Sequence, residues 1–249
     1  MLRYEEEAIV LDAQSAGETH KRIWLLTEHG ERVHLWAPGA ARSKRRFSGA
    51  LQPAAKVAAR WTLKKDGALP ILEEAELLVP PPKPDPLDRF YVACHLLEIV
   101  GAFAKEGMED PRLYRLLGKS LLLLQEGKDV DLIARYAEAW TLRLSGWLPE
   151  IERCVTCGVS LHGAAAEVTL AGGALCVEHG VGSRLRLRSQ SAEWLRATRR
   201  REPEALERPE PAENHELSTV LLAVIVDAMD RPLRCWPALA RWRRKQYPS

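Results

Sequence analysis

The sequence predicts an α+β protein, a small N-terminal β-barrel followed by an α-helical region that carries a compact Cys/His module. Three observations predict it. Apolar residues alternate with polar ones through residues 1–80, and from Asp88 onward they recur at three-and-four spacing. Between the two regimes stands Pro80-Pro81-Pro82-Lys83-Pro84-Asp85-Pro86, a short stiff linker because proline cannot donate to a ladder. Two pairs of Cys or His residues, Cys154/Cys157 and Cys176/His179, stand at metal-ligand spacing within the helical region.

In chain order, Ala8–Leu11 and Arg22–Thr27 are short apolar runs that read as strands, and Glu28-His29-Gly30-Glu31 is a turn. After it, Val33, Leu35 and Ala37 alternate with Arg32, His34 and Trp36. Val57, Ala59, Trp61 and Leu63 alternate with Lys56, Arg60, Thr62 and Lys64, which as a strand puts three cations on one face. The same cations lie four apart, so a helix would also align them; Trp61-Thr62-Leu63 before an Asp66-Gly67 turn favours a hairpin. Ile71–Val79 is the fifth strand, and five short strands in about 80 residues suggest the oligonucleotide-binding (OB) barrel.

Beyond the prolines, Phe90, Val92, Ala93, Leu96, Leu97, Val100 and Phe103 form the apolar stripe of a helix over residues 88–105. Pro111 opens a second helix to Leu124, and Asp129 or Asp131 caps a third that ends near Ser145, before Gly146 and Pro149. A helix over 192–200 is expected to be capped by Ser189 or Ser191, and the acidic, Pro-rich residues 201–216 to form a loop. Residues 215–229 read as a buried helix and 236–245 as a short basic one. The domain boundaries expected are thus 1–80 for the barrel and 81–249 for the helical domain, with the Cys/His module at about 150–183.

Charge is located, not spread. The formal net charge is only +2, yet residues 20–65 hold eleven Lys or Arg against Glu28 and Glu31. Within Pro38–Pro53, Arg42, Lys44, Arg45 and Arg46 stand among small residues between Gly39 and Gly49, with Phe47 beside them. Cations for phosphates plus an aromatic plane for a base is the composition of a nucleic-acid groove; a solvated loop is the competing reading. Residues 183–201 and the tail Arg241, Arg243, Arg244 and Lys245 either extend that path or are solvated helix faces.

Cys154-Val-Thr-Cys157-Gly and Cys176-Val-Glu-His179-Gly, with eighteen residues between Cys157 and Cys176, supply four ligands for one structural Zn2+. Four protein ligands leave no open position for hydrolytic chemistry. The intervening Val168-Thr169-Leu170 and Gly172-Gly173 read as a small hairpin. Cys94 and Cys235 sit among apolar residues and read as core thiols. An odd cysteine count with a C-x-x-C argues against a disulfide framework and for a reducing compartment. Neither a secretory leader nor an apolar run long enough for a bilayer is read, so a cytoplasmic protein is expected. Phosphate-loop, dinucleotide, zinc-protease and serine-hydrolase motifs are missing, and nothing argues for an enzyme.

The stretch Ala41–Pro53 (ARSKRRFSGALQP), Glu18-Thr19 before an apolar strand ending at Thr27, the proline linker and the knuckle pair together resemble the RecO family of bacterial recombination mediators. His179 replaces the commoner Cys of the family's last ligand. The resemblance implies an OB barrel, a helical domain embracing a zinc module, and no catalysis. It implies binding to single- and double-stranded DNA and annealing of complementary strands. With RecR, and RecF in many bacteria, it implies help in replacing single-strand-binding protein (SSB) by RecA, in the cytoplasm and at the nucleoid. Arg42, Lys44, Arg45 and Arg46 fall in the motif tied to DNA binding; Lys56, Arg60 and Lys64 are added by the strand argument. The acidic SSB C-terminal tail is expected in an apolar, basic-rimmed groove of the helical domain, with Arg135 on its rim. The alternative is a zinc-ribbon scaffold that binds proteins and no DNA.

Overall fold

In the computed structural model, which describes residues 2–47, 49–64 and 69–246 (side chains except Lys44 and 242–246), alternation becomes a closed barrel. Its strands are β1 (Leu2–Ala16), β2 (His20–Thr27), β3 (Arg32–Ala37), β4 (Lys56–Leu63) and β5 (Ile71–Val79), with a helical turn α1 (Lys44–Phe47) before β4. The order around the barrel is β1-β2-β3-β5-β4, the OB arrangement, with only β3 and β5 parallel. Closure depends on the length of β1. Its first half pairs with β4 (Leu2 opposite Leu63), its second with β2 (Ala16 opposite His20), and a bulge between Val10 and Asp12 bends it between the two. The Asp66-Gly67 turn lies outside the described residues.

Alternation fills the barrel. Val10, Ile23, Leu25, Leu35, Val57, Trp61 and Leu72 point inward, and the segment after β3 closes one end with Ala40, Phe47, Ala50, Leu51 and Ala55. Phe47 is 2% exposed, which corrects the expectation that it offers a face to a base. The turn α1 explains it: a four-residue helical turn sends the apolar Phe47 inward while Arg45 remains exposed.

Contacts divide the chain into two compact units, residues 1–127 with 234–249, and residues 128–233. In the first unit, α2 (Leu87–Phe103) and α3 (Pro111–Gln125) pack on the barrel. Asp110 caps α3 by accepting the Arg112 N–H at 3.1 Å, with Pro111 at the first helical position. The β2–β3 turn meets this cap so closely that a Cβ on Gly30 (φ +83°) would lie 1.9 Å from the Asp110 carbonyl oxygen. Phe90, assigned to the apolar stripe of α2, is exposed.

In the second unit, α4 (Val130–Leu144) is capped by Asp129, whose carboxylate accepts the N–H groups of Asp131 and Leu132 at 3.0 and 2.9 Å. A three-stranded sheet of β6 (Ala166–Val168), β7 (Ala174–Leu175) and β8 (Arg186–Leu187) follows, in the order β7-β6-β8, and contains the expected hairpin. Helix α5 (Ser189–Ala197) starts earlier than its serines suggested. Ser191 lies inside it and donates to Glu216 at 2.7 Å instead of capping. Helix α6 (Pro211–Met229) also starts earlier, because Glu210 and Glu213 form a reciprocal capping box around Pro211. Only residues 201–210 of the expected loop are non-helical apart from a 3-10 turn at Pro203–Ala205.

Helix α7 (Cys235–Gln246) belongs to the first unit and packs on α2. The buried Glu98 carboxylate accepts the N–H groups of Arg234 and Cys235 at its start, at 3.0 and 2.9 Å. Cys94 on α2 and Cys235 at the start of α7 are half-buried free thiols. The tail cations Arg243, Arg244 and Lys245 have side chains outside those described.

Candidate nucleic-acid interface and metal centre

The seven cations singled out in the sequence divide into two groups. Arg42 and Arg45 are exposed; the Arg42 guanidinium is 3.7 Å from the exposed Glu18 carboxylate. Arg46 turns back on its own segment, donating to the Pro38 carbonyl at 2.6 Å and lying 4.9 Å over the Phe47 ring. The Lys44 side chain lies outside those described. On β4, Lys56 is 2.7 Å from Glu7, and Arg60 is 2.8 Å from Glu74 and 3.8 Å from Glu5. The hydrogen bond between Lys56 and Glu7 holds Glu7 below the usual carboxylate range and Lys56 above the usual lysine range. Lys64, past the end of β4, is exposed. The structure therefore gathers Arg42 and Arg45 in a solvent-facing loop, whereas the β4 cations alternate with carboxylates of β1 and β5.

A second surface was legible only in part. The outward set Arg32, His34 and Trp36 is read correctly from alternation, but its partners come from β2. Trp24 stacks on His34 with ring centroids 4.3 Å apart and planes 6° apart, and His20 lies 5.1 Å from Trp36. Arg22, opposite Trp36 in the ladder, is exposed. The signal was present: His20, Arg22 and Trp24 alternate with the buried Ile23 and Leu25.

The four metal-ligand candidates converge. Their ligand atoms all lie within 4.8 Å of one another, with Cys157 Sγ 3.9 Å from Cys176 Sγ and His179 Nδ1 3.1 Å from Cys176 Sγ. A tetrahedral ion about 2.3 Å from each thiolate holds sulfurs about 3.8 Å apart, so the donor set and its spacing suit a metal ion. Burial pushes the Cys154 thiol up, but hydrogen bonds from the backbone of Cys157, Cys176 and Thr156 outweigh it and bring it to about 6. The Cys176 thiol is held low by its hydrogen bond to His179. Both shifts favour the thiolate that a metal requires. The glycines after the two knuckles act differently. Gly158 takes φ +73°, whereas a Cβ on Gly180 would lie 2.4 Å from the Glu167 side chain.

Arg135 is not a rim residue. Its side chain is fully buried and donates to the equally buried Glu138 at 2.7 Å. On α4 it shares the inward face with Leu132 and Ala139, so a position read as solvent-facing became part of an internal ion pair. Among the described residues no helix is long and apolar enough to cross a membrane.

Two family models match the chain, Recombination protein O N terminal over residues 1–81 and Recombination protein O C terminal over residues 85–236. The chain belongs to the RecO family. The junction between the two matches falls in the proline run. Similar proteins include the DNA repair protein RecO of Desulforudis audaxviator, 34% identical over 177 residues, 71% of this chain and 70% of the relative. The DNA repair protein RecO of Geobacter metallireducens is 33% identical over 70% of this chain and 71% of its own. That of Syntrophobacter fumaroxidans is 35% identical over 64% and 63%.

Proposed function

We propose that this RecO-family chain is a non-catalytic mediator of DNA repair and homologous recombination. It binds single- and double-stranded DNA through phosphates, anneals complementary strands and, with RecR and in some settings RecF, promotes RecA loading onto SSB-coated DNA. The observation that carries the reading is the exposure of Arg42 and Arg45 on a closed OB barrel in a chain of this family. Cations that neutralise phosphates release counterions and let two strands approach, and backbone contacts impose no sequence preference. Arg46 supports the segment's shape through Pro38, and Lys44 adds charge to it. Lys56 and Arg60 must exchange carboxylates for phosphates before they contribute, which ranks them below the loop; Lys64, exposed past the end of β4, contributes if the DNA runs that far.

Cys154, Cys157, Cys176 and His179 hold one structural Zn2+ in this reading, with all four positions filled by protein. For the SSB tail, the chemistry of an acidic peptide with apolar residues suits a recess of about 270 Å3 between α3 and the barrel. Ile9, Val79, Tyr114 and Leu121 line it, with Lys56 and Arg115 among its cations. A protein-binding scaffold without DNA is the second reading, favoured by the exposed Val155, Val177 and Val181 around the metal ligands.

The test is binding of a fluorescent oligonucleotide across a salt series by the native protein and by Arg42→Ala/Arg45→Ala. Steeply salt-dependent binding that flattens in the variant supports the mediator. Absence of binding by the native protein at low salt supports the scaffold.

A further inference from the structure

We propose that Arg196 on α5 is a positioning residue for the metal centre, holding the loop that carries Cys154 and Cys157 in its ligating shape before an ion arrives. The proposal rests on the zinc reading and names a side chain, outside the four ligands, on which metal affinity depends.

The clamp begins with helical period. Ala192, Leu195 and Arg196 share the buried face of α5, so the helix carries an arginine into the interior. Arg196 is only 8% exposed. Its Nη2 donates to two backbone carbonyls, Ile151 at 2.6 Å and Leu161 at 3.1 Å. Its Nη1 donates to Glu193 at 2.6 Å, and its Nε lies 3.4 Å from the Glu152 carboxylate. Residues 151 and 161 are the two ends of the loop that contains Cys154 and Cys157. One nitrogen therefore ties that loop shut at its base. Within the loop the Leu161 N–H donates to the Glu152 carbonyl and the Cys154 N–H to the Val159 carbonyl, both at 2.9 Å. A guanidinium suits this task better than an ammonium, because its planar fork aims fixed donors at both carbonyls and at Glu193 together.

The other half of the centre is held separately. The turn after His179 sits so close to β6 that a Cβ on Gly180 would lie 2.4 Å from the Glu167 Cβ and Cγ. Strand β7 leads directly into Cys176, and its Ala174 carbonyl accepts the Val155 N–H at 2.9 Å. Both knuckles are thus built on the β6–β7 hairpin, and Arg196 removes the freedom that the hairpin leaves to the first of them. A ligand loop ordered in advance spares the ion the cost of ordering it. The competing role for Arg196 is general support of the helical unit. Such a residue lowers stability equally with and without metal, and by linkage leaves the zinc dissociation constant unchanged.

The test is competition for Zn2+ between a chromophoric chelator and the folded full chain, as native protein, Arg196→Met, Arg196→Lys and Ser191→Ala. Ser191 is the control: it is fully buried on the same helix, and its hydroxyl donates to Glu216 at 2.7 Å instead of to the knuckle loop. Arg196→Met should weaken zinc binding about tenfold or more, the usual cost of losing a group that orients metal ligands. Arg196→Lys should recover part of the loss, and Ser191→Ala should bind zinc as the native protein does. Native affinity in Arg196→Met overturns the clamp, and so does an equal loss in Ser191→Ala. Should Arg196→Met not fold, Arg196→Lys decides: weakened binding supports the clamp and native binding overturns it. A native protein that takes up no zinc overturns instead the reading on which the clamp rests.

Discussion

Replacing Arg42 and Arg45 by alanine separates a phosphate-binding loop from a merely charged one, and the structure sets the size of the effect. Both side chains are exposed, whereas Arg46 is held by the Pro38 carbonyl, so the double variant removes cations without removing a structural bond. Arg42 gives up only an exposed pairing with Glu18 at 3.7 Å, worth at most about 1 kcal/mol. If each arginine neutralises one phosphate of a single strand, each contributes about 0.7 to the slope of log affinity against log salt. The variant's slope should therefore be flatter by about 1.4. Between about 50 and 200 mM salt, native affinity should fall about sevenfold more than that of the variant. Fluorescence anisotropy with an oligothymidylate measures this directly, with circular dichroism confirming the fold. A weakened variant whose slope equals the native slope would refute the assignment, because lost affinity without lost counterion release is not a phosphate contact.

Three further outcomes are expected. Cys154→Ala should abolish a stoichiometry of one zinc per chain measured by elemental analysis and cost more than about 4 kcal/mol, as loss of a structural metal does; a metal-free native protein of full stability would remove the claim. Gly30→Ala must place a Cβ at φ +83° and 1.9 Å from the Asp110 carbonyl oxygen, so left-handed strain and overpacking together should cost about 2 to 5 kcal/mol by denaturant unfolding. An unchanged midpoint would mean that the β2–β3 turn does not seat against the α3 cap. Glu7 is held below the usual carboxylate range mainly by its bond to Lys56, so its stabilisation exists above the unfolded value near pH 4.3 and disappears as pH falls through the lower folded value. Because both side chains are more than a third exposed, Glu7→Gln should cost no more than about 1 kcal/mol at pH 7 and nothing near pH 2; an equal cost at both pH values would rule out the ion pair as its source.

The sequence by itself determined the elements whose signals are local. Alternation at Val33/Leu35/Ala37 and Val57/Ala59/Trp61 fixed which residues fill the barrel, because side-chain direction in a strand has period two. Pro111 and the pair Asp129/Asp131 marked helix starts, because first-turn and cap signals act within one turn; that Asp110 caps the one and Asp129 the other came from the fold. The spacing of Cys154, Cys157, Cys176 and His179 marked the candidate ligand group that the fold brings together. What only the tertiary structure decided is which outward-facing residues stay in water. Leu26 alternates outward yet is fully buried, and Lys56 and Arg60 meet carboxylates from strands distant in sequence. Phe47 plugs a barrel end and Arg135 finds Glu138 in the interior. A period says which way a side chain leaves its own backbone. Whether solvent, a carboxylate or another ring waits there is set by chain segments far away in sequence, and so by packing alone.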